Sequence, residues 1–409
     1  MLTIPTGSKR IVEENMNNRI YILALFLFVA LHSQVAHAAT YRVCLLWEAF
    51  TDDSGNGEDH YASGSLWKAR GNRYSVLPAS GSDTILQSGY TEQSGGCFNL
   101  TASGSSFRIR MFLEAIVGDN VKITAHKSGS NTLLYTMIDT GTLSSTSTNY
   151  LVASNTNRTN IMGIAQYVAY QWLSSSPSGI SDIAIRLREE QCPTSTGDSS
   201  CASWGDDIVY IRSGGVRRKF NIGHEMGHML YMKYRGGEYI YSCFVDEGGS
   251  PCKTLDSSHG NHAIHTKERT SCAFAEGFAH FVAVDVFNDH FEQDGIFYYY
   301  KSLYDPLVNV ETGPAGGVSK FLESKCEGSD DFRGVELDWL RAFWHYHARP
   351  GAQLRPTHAQ IFKHVMDTHD DHRFLSTDKN VHQIMLGNAP TSLLLERWAN
   401  AGVPNGIDH

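Results

Sequence analysis

Residues 224 to 228 read His-Glu-Met-Gly-His, two imidazoles four positions apart with a carboxylate between them. On a helix that spacing puts His224 and His228 on one face, about one turn from each other, where both can reach a single metal ion. Glu225 projects from nearly the same face, close enough to hydrogen-bond a water on the metal without being a ligand. The residue types are therefore those of two metal ligands and a general base. The competing reading is a surface helix that carries two histidines, and the rest of the chain has to decide between them.

A catalytic metal of this kind usually takes three protein ligands and leaves one position for water. The extension H-E-x-x-H-x-x-G-x-x-H is excluded, because Tyr231 and Tyr234 stand at its glycine and histidine positions. Downstream, residues 273–284 contain no polar side chain except Glu276 and His280, which are four apart. An unpaired carboxylate in so apolar a helix is costly to bury, which leaves a metal, an ion pair or exposure. Glu276 is the candidate third ligand; the alternative is a carboxylate paired with an arginine or with His280. His259, His262 and His265, at three-residue spacing ahead of this segment, fit either a second metal or a solvated, hydrogen-bonded cluster.

The elements that must position these residues can be read from periodicity. Residues 157–173 have helical spacing in Ile161, Ile164, Ala165, Val168 and Trp172. Residues 183–187 and 208–211 read as strands, and the second leads through Arg212-Ser213-Gly214-Gly215 into a helix expected over residues 217–234, with Gly236-Gly237 to end it. Gly223 and Gly227 are poor helix formers, at about 1 kcal/mol each, which predicts close backbone approach to another element. Further helices are expected at residues 337–347, 359–367 and 393–399. Before residue 153 the texture differs: Ser, Thr and Gly surround short apolar runs at residues 41–47, 74–77, 107–112, 121–125 and 133–138, and Val121-Lys122-Ile123-Thr124-Ala125 alternates like a half-buried strand. Residues 140–148 read as a linker or exposed loop.

The first 38 residues have the three parts of a secretory signal: a basic start in Lys9, Arg10 and Arg19, an apolar run over residues 20–31, and Ala36-His37-Ala38 at the cleavage site. Met16 offers a second possible start. The apolar run is too short to span a hydrocarbon layer of ~30 Å as a helix, so no stable membrane insertion is expected after cleavage. The precursor carries a net charge of −9, and Lys9, Arg10 and Arg19 against Glu13 and Glu14 leave about −10 after cleavage, which argues against nucleic acid or an anionic membrane as partner. All eight cysteines lie beyond the signal, an even number without any C-x-x-C, as expected of disulfides in an exported protein. Nearest-neighbour pairing gives Cys44 with Cys97, Cys192 with Cys201, Cys243 with Cys252, and Cys272 with Cys326. Asp52-Asp53-Ser54-Gly55-Asn56-Gly57 opens like a calcium loop, but its twelfth position is Ser63 where a glutamate is needed, so Ca2+ is only weakly supported.

With both motifs in view, the chain resembles the glutamate zincins, thermolysin-like metallopeptidases with H-E-x-x-H on one helix and E-x-x-x-D on the next. The resemblance covers residues 157–287 and rests on two short motifs. It implies His224, His228 and Glu276 as ligands of one Zn2+ per chain and Glu225 as general base. It also implies a His or Tyr from the last third to stabilise the oxyanion, for which His345, Tyr346 and His347 form the densest candidate group. Two features depart from the family: His280 stands where it has an aspartate, and His228 and Glu276 are 48 residues apart, farther than in thermolysin itself. His280 then either replaces the aspartate as hydrogen-bond partner of His224 or ligates the metal itself.

The expectation is an α+β protein in three parts: a signal over residues 1–38, a small β-rich, sandwich-like domain over 39–153, and a zincin-like metallopeptidase domain over 154–409 with a helical C-terminal half. Its expected activity is secreted, zinc-dependent endopeptidase cleavage of a protein or peptide substrate. The rivals are an exported binding or adhesion protein with a structural or degenerate metal site, and a metal hydrolase acting on another substrate class.

Overall fold

The computed structural model describes residues 38–48, 66–118, 121–173, 183–193, 199–203, 205–216, 218–234, 267–288, 296–297, 308–309, 333–348, 355–371, 378–405 and 407. The expected signal, the calcium-like loop, the Cys243–Cys252 segment and His259, His262 and His265 lie outside these residues. Among the described residues the chain is α+β, with two main sheets, two short strand pairs and seven helices.

The smaller sheet is built on β1 (Ala39–Glu48), which pairs antiparallel with β2 (Leu66–Lys68) and β5 (Cys97–Ala102) and parallel with β9 (Thr148–Val152). Cys44 lies directly opposite Cys97 in this ladder, and the two form a disulfide. The larger sheet runs β11 (Cys201–Ser203), β12 (Ile208–Ile211), β10 (Ile183–Glu189), β7 (Val121–His126), β6 (Phe107–Val117), β3 (Asn72–Pro78) and β4 (Gln87–Tyr90). β8 (Tyr135–Asp139) pairs with the first half of β6, over Arg108 to Phe112, and β7 with the second, over Glu114 to Val117. Every second residue of β6 is buried (Phe107, Ile109, Met111, Leu113, Ala115, Val117), the period that a half-buried strand requires. The two sheets meet through Tyr74 stacked on Phe98 at 3.7 Å and Tyr41 against Phe107 at 6.1 Å.

β7 and β10 pair in parallel from Val121↔Ile183 to His126↔Arg188. The large sheet thus runs across residues 153 and 154, the domain boundary expected from the change in composition. Parallel neighbours need a crossover between them, and this one contains α1 (Asn157–Leu173). α1 also grips the smaller sheet. The Trp47 indole donates to Gln166 Oε1 at 2.5 Å, the Gln166 amide donates to the Arg70 carbonyl, and Gly163 lets the Trp47 side chain approach so closely that a Cβ there would lie 3.0 Å from Trp47 Cβ.

The remaining helices are α2 (Lys219–Tyr234), α3 (Thr270–Phe287), α4 (Glu336–Ala348), α5 (His358–Asp371), α6 (Asp378–Gly387) and α7 (Ser392–Asn405). Among its described side chains α3 has no solvent face: Cys272, Phe274, Phe278, Phe281, Val282 and Phe287 are all fully buried around its circumference. It is packed between α2 and α4, and β13 (Lys267–Arg269), which leads into α3, pairs antiparallel with β16 (Arg333–Val335), which leads into α4. The last strand pair is β14 (Ile296–Phe297) with β15 (Val308–Asn309). Cys192 and Cys201 form the second disulfide, and Cys272 is also disulfide-bonded. Cys243, Cys252 and Cys326 fall outside the described residues. Disulfides fit an oxidising, extracytoplasmic compartment. Among the described residues, no helix is long and apolar enough to cross a membrane.

Candidate metal centre

α2 begins at Lys219 after a single 3-10 turn over Ser213–Gly215. The loop is fixed from α1, whose Asn160 amide donates to the Val216 carbonyl at 2.5 Å. The register of α2 turns Gly223 and Gly227 toward α3. A Cβ at Gly227 would lie 2.8 Å from Ala279 Cα and 2.9 Å from the Ala279 carbonyl oxygen, and one at Gly223 would lie 3.0 Å from Ala283 Cβ. The two helices therefore touch backbone to backbone, which accounts for glycines at positions where they cost helix stability. On α3, Gly277 repeats the device toward α4: a Cβ there would lie 2.5 Å from Trp339 Cβ.

This close packing brings the two motifs together. His224 Nε2 lies 3.0 Å from His228 Nε2, His228 Nε2 lies 2.9 Å from Glu276 Oε2, and His224 Nε2 lies 3.3 Å from the same oxygen. Donor atoms on a tetrahedral ion with bonds of 2.0–2.1 Å are separated by about 3.3 Å. The triangle is within a few tenths of an ångström of that spacing, so the donor set and its geometry both fit a metal ion. Glu225 offers a carboxylate oxygen within 4.8 Å of ring nitrogens of both histidines and is itself buried. Burial, and after it the neighbouring His280 and His228, outweighs Glu276 and pushes the pKa of His224 down to about 3. A neutral imidazole is the form that donates a lone pair to a metal.

His280 is completely buried behind these residues. Its ring lies 4.1 Å from that of His224, tilted by 31°, and its Nε2 is 2.9 Å from Glu336 Oε2 on α4. Glu276, His224 and His280 also bring one possible ligand atom each to within 4.8 Å of one another. Glu336 was not anticipated in the sequence; a carboxylate in the first turn of a helix ordinarily needs no further partner.

The other sequence candidates are on α4. His345 is half-buried. Tyr346 donates its hydroxyl to His364 Nδ1 at 3.0 Å, since His364 Nε2 is committed to the Met385 carbonyl, and burial raises the pKa of the Tyr346 hydroxyl. His347 Nε2 lies 3.1 Å from Asp285 Oδ1, and Asp285 Oδ2 lies 2.8 Å from His358 Nε2. Sequence reasoning missed Asp285 and His358. The available signal was Asp285 itself, an acid between Val284 and Val286 on a helix without a polar face.

The chain matches no model of a known protein family, and no curated protein matches it.

Proposed function

We propose that this chain is an exported zinc metallopeptidase of the glutamate-zincin kind, acting on a protein or peptide substrate. The observation that carries the reading is the convergence of His224 and His228 from one helix with Glu276 from another, 48 residues beyond His228, on one point at 2.9–3.3 Å separations. The order of helix, strands, H-E-x-x-H helix and glutamate helix supports the same domain type.

In this proposal His224, His228 and Glu276 hold the ion, and two imidazoles with one carboxylate suit zinc better than the harder Ca2+ or Mg2+. Bound there, zinc supplies a Lewis acid and lowers the pKa of a coordinated water. Glu225 accepts the proton of the attacking water on its carboxylate and delivers it to the leaving amine as the peptide bond breaks. His280 positions His224 through ring contact and is itself fixed by Glu336.

The test is hydrolysis of a quenched peptide library by the purified chain and its Glu225→Gln variant, with zinc counted in the same samples. The reading expects chelator-sensitive cleavage, and in the variant a fall on the order of 10²–10⁴-fold with full zinc retained. Zinc without cleavage of any peptide in the wild type would favour a binding protein or a hydrolase of another substrate class.

A further inference from the structure

The three helices that follow the H-E-x-x-H segment bring together a second group of donors, Asp285 on α3, His347 on α4 and His358 at the start of α5, with one ligand atom of each within 4.8 Å of the others. The hydrogen bonds of the two rings fix their tautomers. His347 Nδ1 is 3.1 Å from the Pro356 carbonyl and His358 Nδ1 is 2.8 Å from the Gln171 carbonyl. A carbonyl oxygen only accepts, so both Nδ1 atoms carry the proton. Both Nε2 atoms then turn to the same carboxylate, at 3.1 Å and 2.8 Å. If the rings are neutral, two lone pairs face an anion at contact distance, a repulsion that a cation among them would relieve.

Two arrangements would supply such a cation. In one, both rings are imidazolium, with centroids 5.3 Å apart around a carboxylate that is 3% exposed; burial lowers the pKa of His358, but Asp285 and the Gln171 carbonyl raise it above its ordinary value. In the other, one metal ion sits where the two Nε2 atoms and the carboxylate converge. The surroundings also suit the ion. A metal-bound histidine almost always donates its other ring N–H to a carbonyl or carboxylate, which fixes the ring and raises its basicity, and here both rings do so. His358 is further held by stacking on Trp172 at 4.5 Å, and His347 by the edge of Phe281. Rings clamped in this way are pre-organised to share one ligand point.

We infer that Asp285, His347 and His358 form a second site for a divalent transition metal of the zinc class, which ties α5 to α3 and α4. Two imidazoles and a carboxylate select such an ion over Ca2+ or Mg2+. The site is separate from the first: Asp285 follows Glu276 by nine residues, about 13 Å along the helix at 1.5 Å per residue.

The experiment strips the full-length chain of metal, re-equilibrates it with Zn2+ alone, and counts bound zinc in the wild type, Glu276→Ala, His358→Ala and the double variant. The inference expects two, one, one and none. Co2+ in place of Zn2+ gives a second readout: Glu276→Ala should keep a visible d–d absorption that disappears when His358→Ala is added. His358 is partly exposed, and retention of the first zinc in His358→Ala serves as the check that the variant is folded. A wild-type count of one, lost in Glu276→Ala and unchanged in His358→Ala, overturns the inference and leaves the first site standing. A count unchanged by Glu276→Ala but reduced by His358→Ala would overturn the first site instead.

Discussion

Glu276 is the residue on which the metal centre turns. It is a carboxylate with 8% exposure, within 3.3 Å of two histidine nitrogens. Glu276→Ala is expected to remove the zinc of this site and, in a His358→Ala background, to abolish the stabilisation that added zinc confers, since an ion stabilises the fold only by binding the native state. Metal counting and melting curves with and without Zn2+ check both effects; a variant that still melts higher with zinc at that site would contradict the assignment. Glu114 shows the opposite use of a buried carboxylate. At 2% exposure it accepts from Tyr90 at 2.6 Å and pairs with Arg73 and Lys122, each at 3.1 Å, so that four strands of the large sheet meet at one acid. Burial by itself would raise its pKa, but the hydrogen bonds from Tyr90, Lys122 and Arg73 outweigh it and hold the carboxyl below the usual value. A carboxyl whose pKa is depressed on folding contributes stability that is fully present above the unfolded pKa and is lost as pH falls through the folded one. Unfolding curves measured from pH 7 down to pH 3 should therefore show Glu114→Gln less stable than wild type at neutral pH, with the gap narrowing in acid. A gap that stays constant would mean that the loss is one of packing.

At the scale of elements, the decisive contact is α2 against α3. Gly227→Ala gains about 1 kcal/mol of helix propensity. It also places a methyl 2.8 Å from Ala279 Cα and 2.9 Å from a backbone oxygen, neither of which can move without shifting a helix. Overpacking of that kind costs about 1–3 kcal/mol, so the variant is expected to be less stable in urea and to bind zinc more weakly, because His224 and His228 would be displaced from Glu276. Gly402, where a Cβ would meet the His382 ring, lies in the α6–α7 contact and gives a control: Gly402→Ala should lower stability and leave zinc affinity unchanged.

At the scale of the whole molecule, α1 joins the two sheets and the helical half. It contacts strands of both sheets, α2, α3 and α5, and Trp172 at its end packs edge-on against Phe278, Phe281 and Phe362 from α3 and α5. The Cys44–Cys97 disulfide closes a loop of 53 residues across the smaller sheet. Replacing both cysteines by alanine should lower stability by roughly 2–5 kcal/mol. Because the sheets and helices share one hydrophobic core, the loss is expected in a single unfolding transition of the whole molecule. Calorimetry resolving two transitions, with only the first shifted, would instead show the smaller sheet melting independently.

The sequence alone determined what depends on neighbours along the chain. Four-residue spacing places His224 and His228 on one helical face whatever surrounds them, and two-residue alternation makes Val121 to Ala125 a strand. Residues 157–173 and 208–211 carried their own boundaries, and Cys44 with Cys97 and Cys192 with Cys201 followed from proximity in an even set. The helix over residues 378–387 and the strands β4, β5 and β9 were not read, because their short apolar patterns acquire meaning only beside their partners. Tertiary structure decided the rest. The parallel register of β7 with β10 joins residues some sixty positions apart through a crossover, and no local composition records it. The meeting of Glu276 with the two histidines depends on glycine contacts between helices. Asp285, His347 and His358 come from three helices, with Asp285 and His358 73 residues apart, so their juxtaposition is a product of packing and has no signature in any one segment.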